Sequence, residues 1–284
     1  MAPIAFSDIA KPSNDIVSKD FFHQAPFSVD VKTTAPNGVQ FTTKAKSTGD
    51  NVAASLESKY SDKSTGLALT QGWDTKNVLS TKLELADAIT PGLKTELVSA
   101  LVPGVSKSVK FNTYFATDSI NARAFVDLLK GPVFNADLTF GQDGLTTGGA
   151  LTYDVKSAKL SSYTAAIGYK ASAYAVALVA SNNLSVFTAG YYHRVCPQLE
   201  VGTKATYDSK STASGNPVAV ELASKYQLDP TAFVKAKIAD SGLVSLAYQQ
   251  DLNKGVKLGF GTAFDALKFG EAAHKLGVSL SFSA

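Results

Sequence analysis

The sequence predicts an all-β protein, a single transmembrane β-barrel of nineteen strands preceded by a short helical segment. Three observations carry this. First, charge is scarce without any long apolar run to account for it. Charged residues make up 18% of the 284-residue chain and hydrophobic ones 45%, where a soluble domain has about 25% charged residues. Mean hydropathy is +0.03, and the most apolar stretch runs only from Ala173 to Ala180. A spanning helix needs about 20 apolar residues, so a helical membrane protein is excluded. Plentiful aromatic residues (16 Phe, 11 Tyr) exclude disorder. Second, apolar and polar residues alternate with a period of two from about residue 27 to the end. Third, turn residues punctuate the alternation, and no helical stretch lies between the runs.

Residues 7–21 are the one good helix candidate. Ser7 is placed to cap a turn ahead of Asp8 and Ile9. Pro12 lacks a donor and is expected to interrupt that turn, with Ser13 or Asn14 restarting it. Ile16 and Val17 give an apolar side, and Asp8, Lys11, Asp15, Lys19 and Asp20 a polar one. A frayed terminal tail is the alternative. The expected strands are 27–34, 39–47, 52–60, 66–73, 78–86, 94–102, 109–116, 120–127, 134–140, 146–153, 160–169, 173–181, 185–193, 198–207, 218–226, 231–238, 243–249, 256–264 and 274–282. In 198–207, for example, Leu199, Val201, Thr203, Ala205 and Tyr207 alternate with Glu200, Gly202, Lys204 and Thr206. Turn signals include Pro36-Asn37-Gly38, Gly49-Asp50-Asn51, Gly131-Pro132, Gly141-Gln142-Asp143-Gly144, Ser214-Gly215-Asn216 and Asn253-Lys254-Gly255. Composition is even from residue 27 on, so residues 1–26 form an N-terminal segment and 27–284 one barrel domain.

An open sheet of this size would expose its edges. A propeller needs a repeat of about 40–50 residues, and none is visible. A soluble sandwich would carry more charge on its outer faces. Aromatics instead sit near strand ends at Tyr60, Trp73, Phe140, Tyr153, Tyr169, Tyr207, Tyr226, Phe264 and Phe282, as in the interfacial girdles of membrane barrels. Ordinary strand-end aromatics of a soluble β-rich binding module remain the alternative. An odd strand number requires one parallel pairing, which falls to the first and last strands.

The polar face then lines a lumen. Its basic members are Lys32, Lys44, Lys46, Lys59, Lys82, Lys110, Arg123, Lys204, Lys225, Lys257 and Lys275, joined by Lys235 and Lys237. The acidic members are Asp30, Glu57, Glu84, Asp127, Asp137, Glu200 and Glu221. Such a wall concentrates anions, with modest selectivity because salt screens over about 8 Å. The total charge, 27 − 24 = +3, is too small to indicate nucleic acid. The single cysteine, Cys196, excludes a disulfide scaffold. His23, His193 and His274 lack ligand spacing, no phosphate loop appears, and no enzyme or metal site is expected. Gly72, Gly148, Gly149 and Gly168 are expected to ease bending or close packing. The N-terminus reads as neither a secretory signal nor an Arg-rich presequence.

Several blocks carry more specific information. They are Phe6-Ser7-Asp8-Ile9 with Lys11, Asp15 and Lys19; Gly66 to Trp73; Thr90-Pro91-Gly92-Leu93-Lys94; Asp127-Leu128-Leu129-Lys130-Gly131-Pro132; Val234-Lys235-Ala236-Lys237; and His274 to Gly277 before the terminal Phe282 and Ala284. In order and spacing they resemble the mitochondrial voltage-dependent anion channels, or eukaryotic porins, over the full length, fungal members above all. Nineteen is also the strand number of that family. The resemblance implies an N-terminal helix lodged in the pore, location in the mitochondrial outer membrane, and closure at high voltage of either sign. It implies passage of ATP, ADP and other small anionic metabolites, with no required cofactor. Lys11 and Lys19 correspond to nucleotide-phosphate contacts. A dinucleotide contact, NAD(H) as ligand, matches Leu243, Val244 and Ser245 with Gly261, Thr262, Ala263, Phe264 and Asp265. Implied partners are membrane lipid and a second copy of the chain. Animal members often carry a lipid-facing glutamate where this chain has Gln71, which shares its face with Leu67, Leu69 and Trp73; regulation through that glutamate is not carried over. A related protein-import pore and a weakly conducting paralogue with a structural role are the alternatives within this architecture.

Overall fold

The computed structural model describes residues 3–49, 51–62, 64–129, 131, 133–211, 217–268, 270 and 274–284. The turn expected at Ser214-Gly215-Asn216, with Asp50, Lys130 and Pro132, lies outside the described residues. Nineteen strands close on themselves. They are β1 Phe27–Thr34, β2 Gln40–Thr48, β3 Asn51–Asp62, β4 Leu67–Asp74, β5 Leu79–Ala86, β6 Leu93–Val102, β7 Ser106–Ala116, β8 Ile120–Asp127, β9 Val133–Gln142 and β10 Leu145–Asp154. They continue as β11 Lys159–Lys170, β12 Tyr174–Ser181, β13 Val186–Arg194, β14 Leu199–Asp208, β15 Val218–Asp229, β16 Ala232–Ala239, β17 Leu243–Asn253, β18 Val256–Asp265 and β19 Lys275–Ser283. Each strand pairs antiparallel with its sequence neighbour. The exception is the closing seam, where β1 runs parallel to β19 from Phe27↔Val278 to Lys32↔Ser283.

Several strands outrun the expected ranges. β3 reaches Asp62, β7 starts at Ser106, and β17 continues to Asn253. The extra residues are mostly polar. Backbone pairing is indifferent to side-chain polarity, so the ladder continues past the point where the apolar alternation fades.

The side chains sort by register. Large apolar residues stand on the outer wall around the whole circumference, Trp73, Leu97, Phe111, Ile167, Leu178, Leu222 and Phe260 among them. The buried apolar residues lie inside. Ile9, Ala10, Ile16, Val17 and Phe21 come from the N-terminal segment, and Ala166, Ala177 and Ala223 from the wall. None of the described helices is long and apolar enough to cross a membrane.

The N-terminal segment forms a 3₁₀ turn at Phe6–Asp8, helix α1 at Lys11–Ser18 and a second 3₁₀ turn at Phe22–Gln24. Two expectations are corrected. Pro12 does not interrupt the helix but sits in its first turn, where its missing N–H would have had no intrahelical partner. Ser7 is not a cap; its hydroxyl accepts from Arg123 Nη1 at 3.2 Å.

The parallel seam has the weaker geometry per residue. In lipid, amides shared by β1 and β19 are expected to exchange faster than those shared by β1 and β2. Mass-spectrometric hydrogen exchange checks this, and equal or greater protection at the seam would contradict it.

Candidate functional site

The lumen is partly filled, and small residues make the room. The inner face of β9–β14 presents Gly141, Gly148, Gly168, Gly190 and Gly202. A Cβ at Gly141 would stand 2.6 Å from Pro3 Cβ, and one at Gly168 2.7 Å from Ile9 Cγ2. At Gly190 it would strike Ser13, and at Gly202 Ile16. A second seat is cut by Gly259, Gly261 and Gly277, where added Cβ atoms would run into Phe22 and His23. Gly149 instead faces outward, and Gly72 lies beside Ser80 on the inner face. Alternation alone scores these glycines as merely polar. Their recurrence on inward positions of β9, β10, β11, β13 and β14, with Ala177 on β12 between them, is the signal that marks a trough.

Polar contacts complete the seat. Thr139 donates to Ile4 O at 2.9 Å, and Asn121 to Pro3 O at 3.2 Å. Lys235 is 2% exposed; its Nζ donates to Lys19 O at 2.7 Å and Asp15 O at 3.3 Å. Lys235 and Lys237 also flank the Phe21 ring, at 5.0 and 5.4 Å from its centroid.

Register places all eleven expected basic residues on the inner face. Much of that charge is not free. Lys82 lies 2.5 Å from Glu84 and 3.1 Å from Glu96, and Lys94 lies 3.2 and 2.7 Å from the same pair. Lys59 reaches Glu84 at 3.9 Å, and the Tyr114 hydroxyl donates to Glu96 at 3.0 Å. Arg123 pairs with Asp137 at 2.8 Å and Lys257 with Asp251 at 3.3 Å. Lys225 lies over Phe233. Lys32, Lys44, Lys46 and Lys204 make no ion pair among the described residues. Alternation does not place Lys94 and Glu96 on the inner face, because the polar Thr95 between them sits on the outer one.

Lys11 and Lys19 are 54% and 62% exposed and pair with Asp8 at 3.5 Å and Asp15 at 3.3 Å. Exposed pairs of this kind contribute little and exchange partners readily. Lys19 lines a cavity of about 450 Å³ between α1 and the wall, with Lys170, Arg194, Lys225 and Lys235 against Asp15, Asp20 and Glu200. Lys11 lies outside it. The late segments divide by face. Val244, Thr262 and Phe264 point outward, and Leu243, Ser245, Gly261, Ala263 and Asp265 inward. Ser245 and Ala263 are buried, and Gly261 is covered by Phe22 and His23. Gln71 stands on the outer wall level with Ser58, Thr81 and Ser99.

The eukaryotic porin family profile matches residues 2–277. The chain belongs to the eukaryotic porin family. It is 53% identical, over the full length of both chains, to the mitochondrial outer membrane protein porin of Candida albicans. It is 45% identical over the full length of both to the non-selective voltage-gated ion channel 1 of Saccharomyces cerevisiae. Among solved structures, a mutant porin of Rh. blastica superposes with a TM-score of 0.52 at 10% identity, covering 81% of this chain and 96% of that one; this likeness is one of fold. For a eukaryotic porin the outer wall faces lipid, so Gln71 sits in a polar row on the lipid side of β3–β6.

His23 lies in the second 3₁₀ turn. Burial holds its imidazole below the ordinary value of 6.5, and repulsion from Lys237 on β16 and Lys275 on β19 adds to this. Its buried Nδ1 has no hydrogen-bond partner among the described residues. A depressed folded pKa means that docking of the turn is fully supported above pH 6.5 and loses that support as pH falls through the folded value. NMR titration of His23 is expected to give a midpoint below 6.5. A midpoint at or above 6.5 would contradict the burial.

Proposed function

We propose that this porin is a voltage-gated, weakly anion-selective channel of the mitochondrial outer membrane, passing ATP, ADP and other small anionic metabolites. The observation that carries the reading is the lumen itself. A closed wall surrounds a polar interior in which Lys32, Lys44, Lys46 and Lys204 make no ion pair among the described residues and the N-terminal segment offers exposed Lys11 and Lys19. The names of the full-length fungal relatives support both place and activity.

Weak selectivity follows from the charge arrangement. Glu84 and Glu96 hold Lys59, Lys82 and Lys94 in one cluster of net charge +1, by three ammoniums against two carboxylates. That stretch of wall attracts anions only slightly, in keeping with the word non-selective in the yeast relative's name. Voltage acts on what moves. A unit charge crossing the full field gains about 2.3 kcal/mol per 100 mV, and a moving N-terminal segment contributes only its net charge, in which Lys11 and Lys19 stand against Asp8, Asp15 and Asp20. No cofactor is needed for passage. ATP and ADP act as permeant ligands, and NAD(H) as a regulatory one would reach Ser245 or Gly261 only after the second 3₁₀ turn moved aside.

Reconstitution in a planar bilayer tests this. Large conductance steps that fall at both polarities are expected, with a reversal potential in a salt gradient that favours anions. Lys19→Glu should shift that potential toward cations. A protein that inserts yet gives no conductance would overturn the channel reading; an unchanged potential in Lys19→Glu would remove Lys19 from the selectivity account.

A further inference from the structure

We propose that Lys235 is the positioning residue that latches α1 in the lumen. It acts on the carbonyls at the end of the helix instead of through an ion pair. Lys235 is the largest fully buried side chain of the described residues. Among those residues no carboxylate lies within ion-pair distance of its ammonium. Its partners are Lys19 O and Asp15 O, which belong to the last turn of α1 and its cap. Lys19 O lies past the last intrahelical bond and lacks a helical donor, whereas Asp15 O already accepts from the Lys19 N–H at 3.0 Å; both lie at the negative end of the helix dipole. A single desolvated ammonium therefore supplies the donor that Lys19 O lacks, adds a second bond to Asp15 O and meets the dipole at once. The Phe21 ring closes over the same ammonium where the chain leaves the helix.

The arrangement is reciprocal. A buried charge is costly unless its hydrogen bonds are made. Lys235 makes them only while α1 is seated. When α1 leaves, Lys235 must rehydrate and stands across from Lys225, whose ammonium is covered only by the Phe233 ring. Elsewhere α1 meets the wall through apolar packing, with Ile16 and Val17 against Ala223 and Tyr192. That packing gives affinity but little register. The latch fixes where the helix end stops.

Lys237, two residues along on the same face, supplies the control. It carries the same charge and touches the same ring but pairs with Glu221 at 3.2 Å. Removing it takes away equal wall charge and leaves the α1 carbonyls bonded.

The test uses the full chain in lipid nanodiscs and reads hydrogen exchange of residues 11–18. Lys235→Met keeps the length and apolar stem. It is expected to speed exchange across α1 about tenfold or more, the scale set by hydrogen bonds to a charged group, while strand amides of β12–β15 stay as protected as before. Lys235→Arg should restore protection, and Lys237→Met should leave it unchanged. If Lys235→Met does not insert, Lys235→Gln, which keeps a shorter donor, should still show the loosening. Unchanged protection of α1 in the Met or Gln variant, or equal loosening in Lys237→Met, would overturn the proposal. The exchange result does not depend on the transport reading. A loosened helix in a protein that never conducts would count against that reading alone.

Discussion

An apolar surround offers the backbone no hydrogen-bond partners, and the rest of this structure follows from that constraint. Every strand amide must pair within the protein, so the sheet has no permissible edge and closes. With nineteen strands, closure forces one parallel pair. Closure also reverses the usual place of apolar side chains. They surround the barrel, and the polar half of each strand is left facing an interior that no apolar core fills.

That interior is then shaped by two devices centred about a third of the circumference apart. On β9–β14, glycines remove side chains so that a helical segment fits against the backbone. On β5–β6, Glu84 and Glu96, nearly buried, gather Lys59, Lys82 and Lys94 into one cluster. The first gives a movable element a defined seat. The second ties down wall charge that would otherwise be free. Together they account for a lumen whose positive charge is unevenly spread around the wall.

The barrel was legible because a period of two is a local signal: nearly every strand could be seen from its own residues, as in Leu199 to Tyr207. The N-terminal helix was legible only in outline. Pro12 reads as a breaker unless the helix start is known, and Ile16 and Val17 do not say what they pack against. The least legible parts were those that depend on register between distant strands. Gly168 reads as a close-packing glycine, but Gly190 and Gly202 look unremarkable singly, and the three form a trough only when the sheet brings their strands together. Glu96 becomes a partner of Lys82 only through the β5–β6 pairing. Lys235 was visible as a lumen lysine, but its role depends on carbonyls over two hundred residues away.

The claim on which the account turns is that the pore conducts with α1 seated against its wall. A disulfide tests this directly. A Cβ at Gly202 would lie 3.5 Å from Ile16 Cβ, within the range disulfides adopt. With Cys196 replaced by Ser, Ile16→Cys with Gly202→Cys should oxidise readily. Single-channel steps of the same full size are expected in the oxidised and the reduced protein. Tethered channels that conduct only after reduction would contradict it.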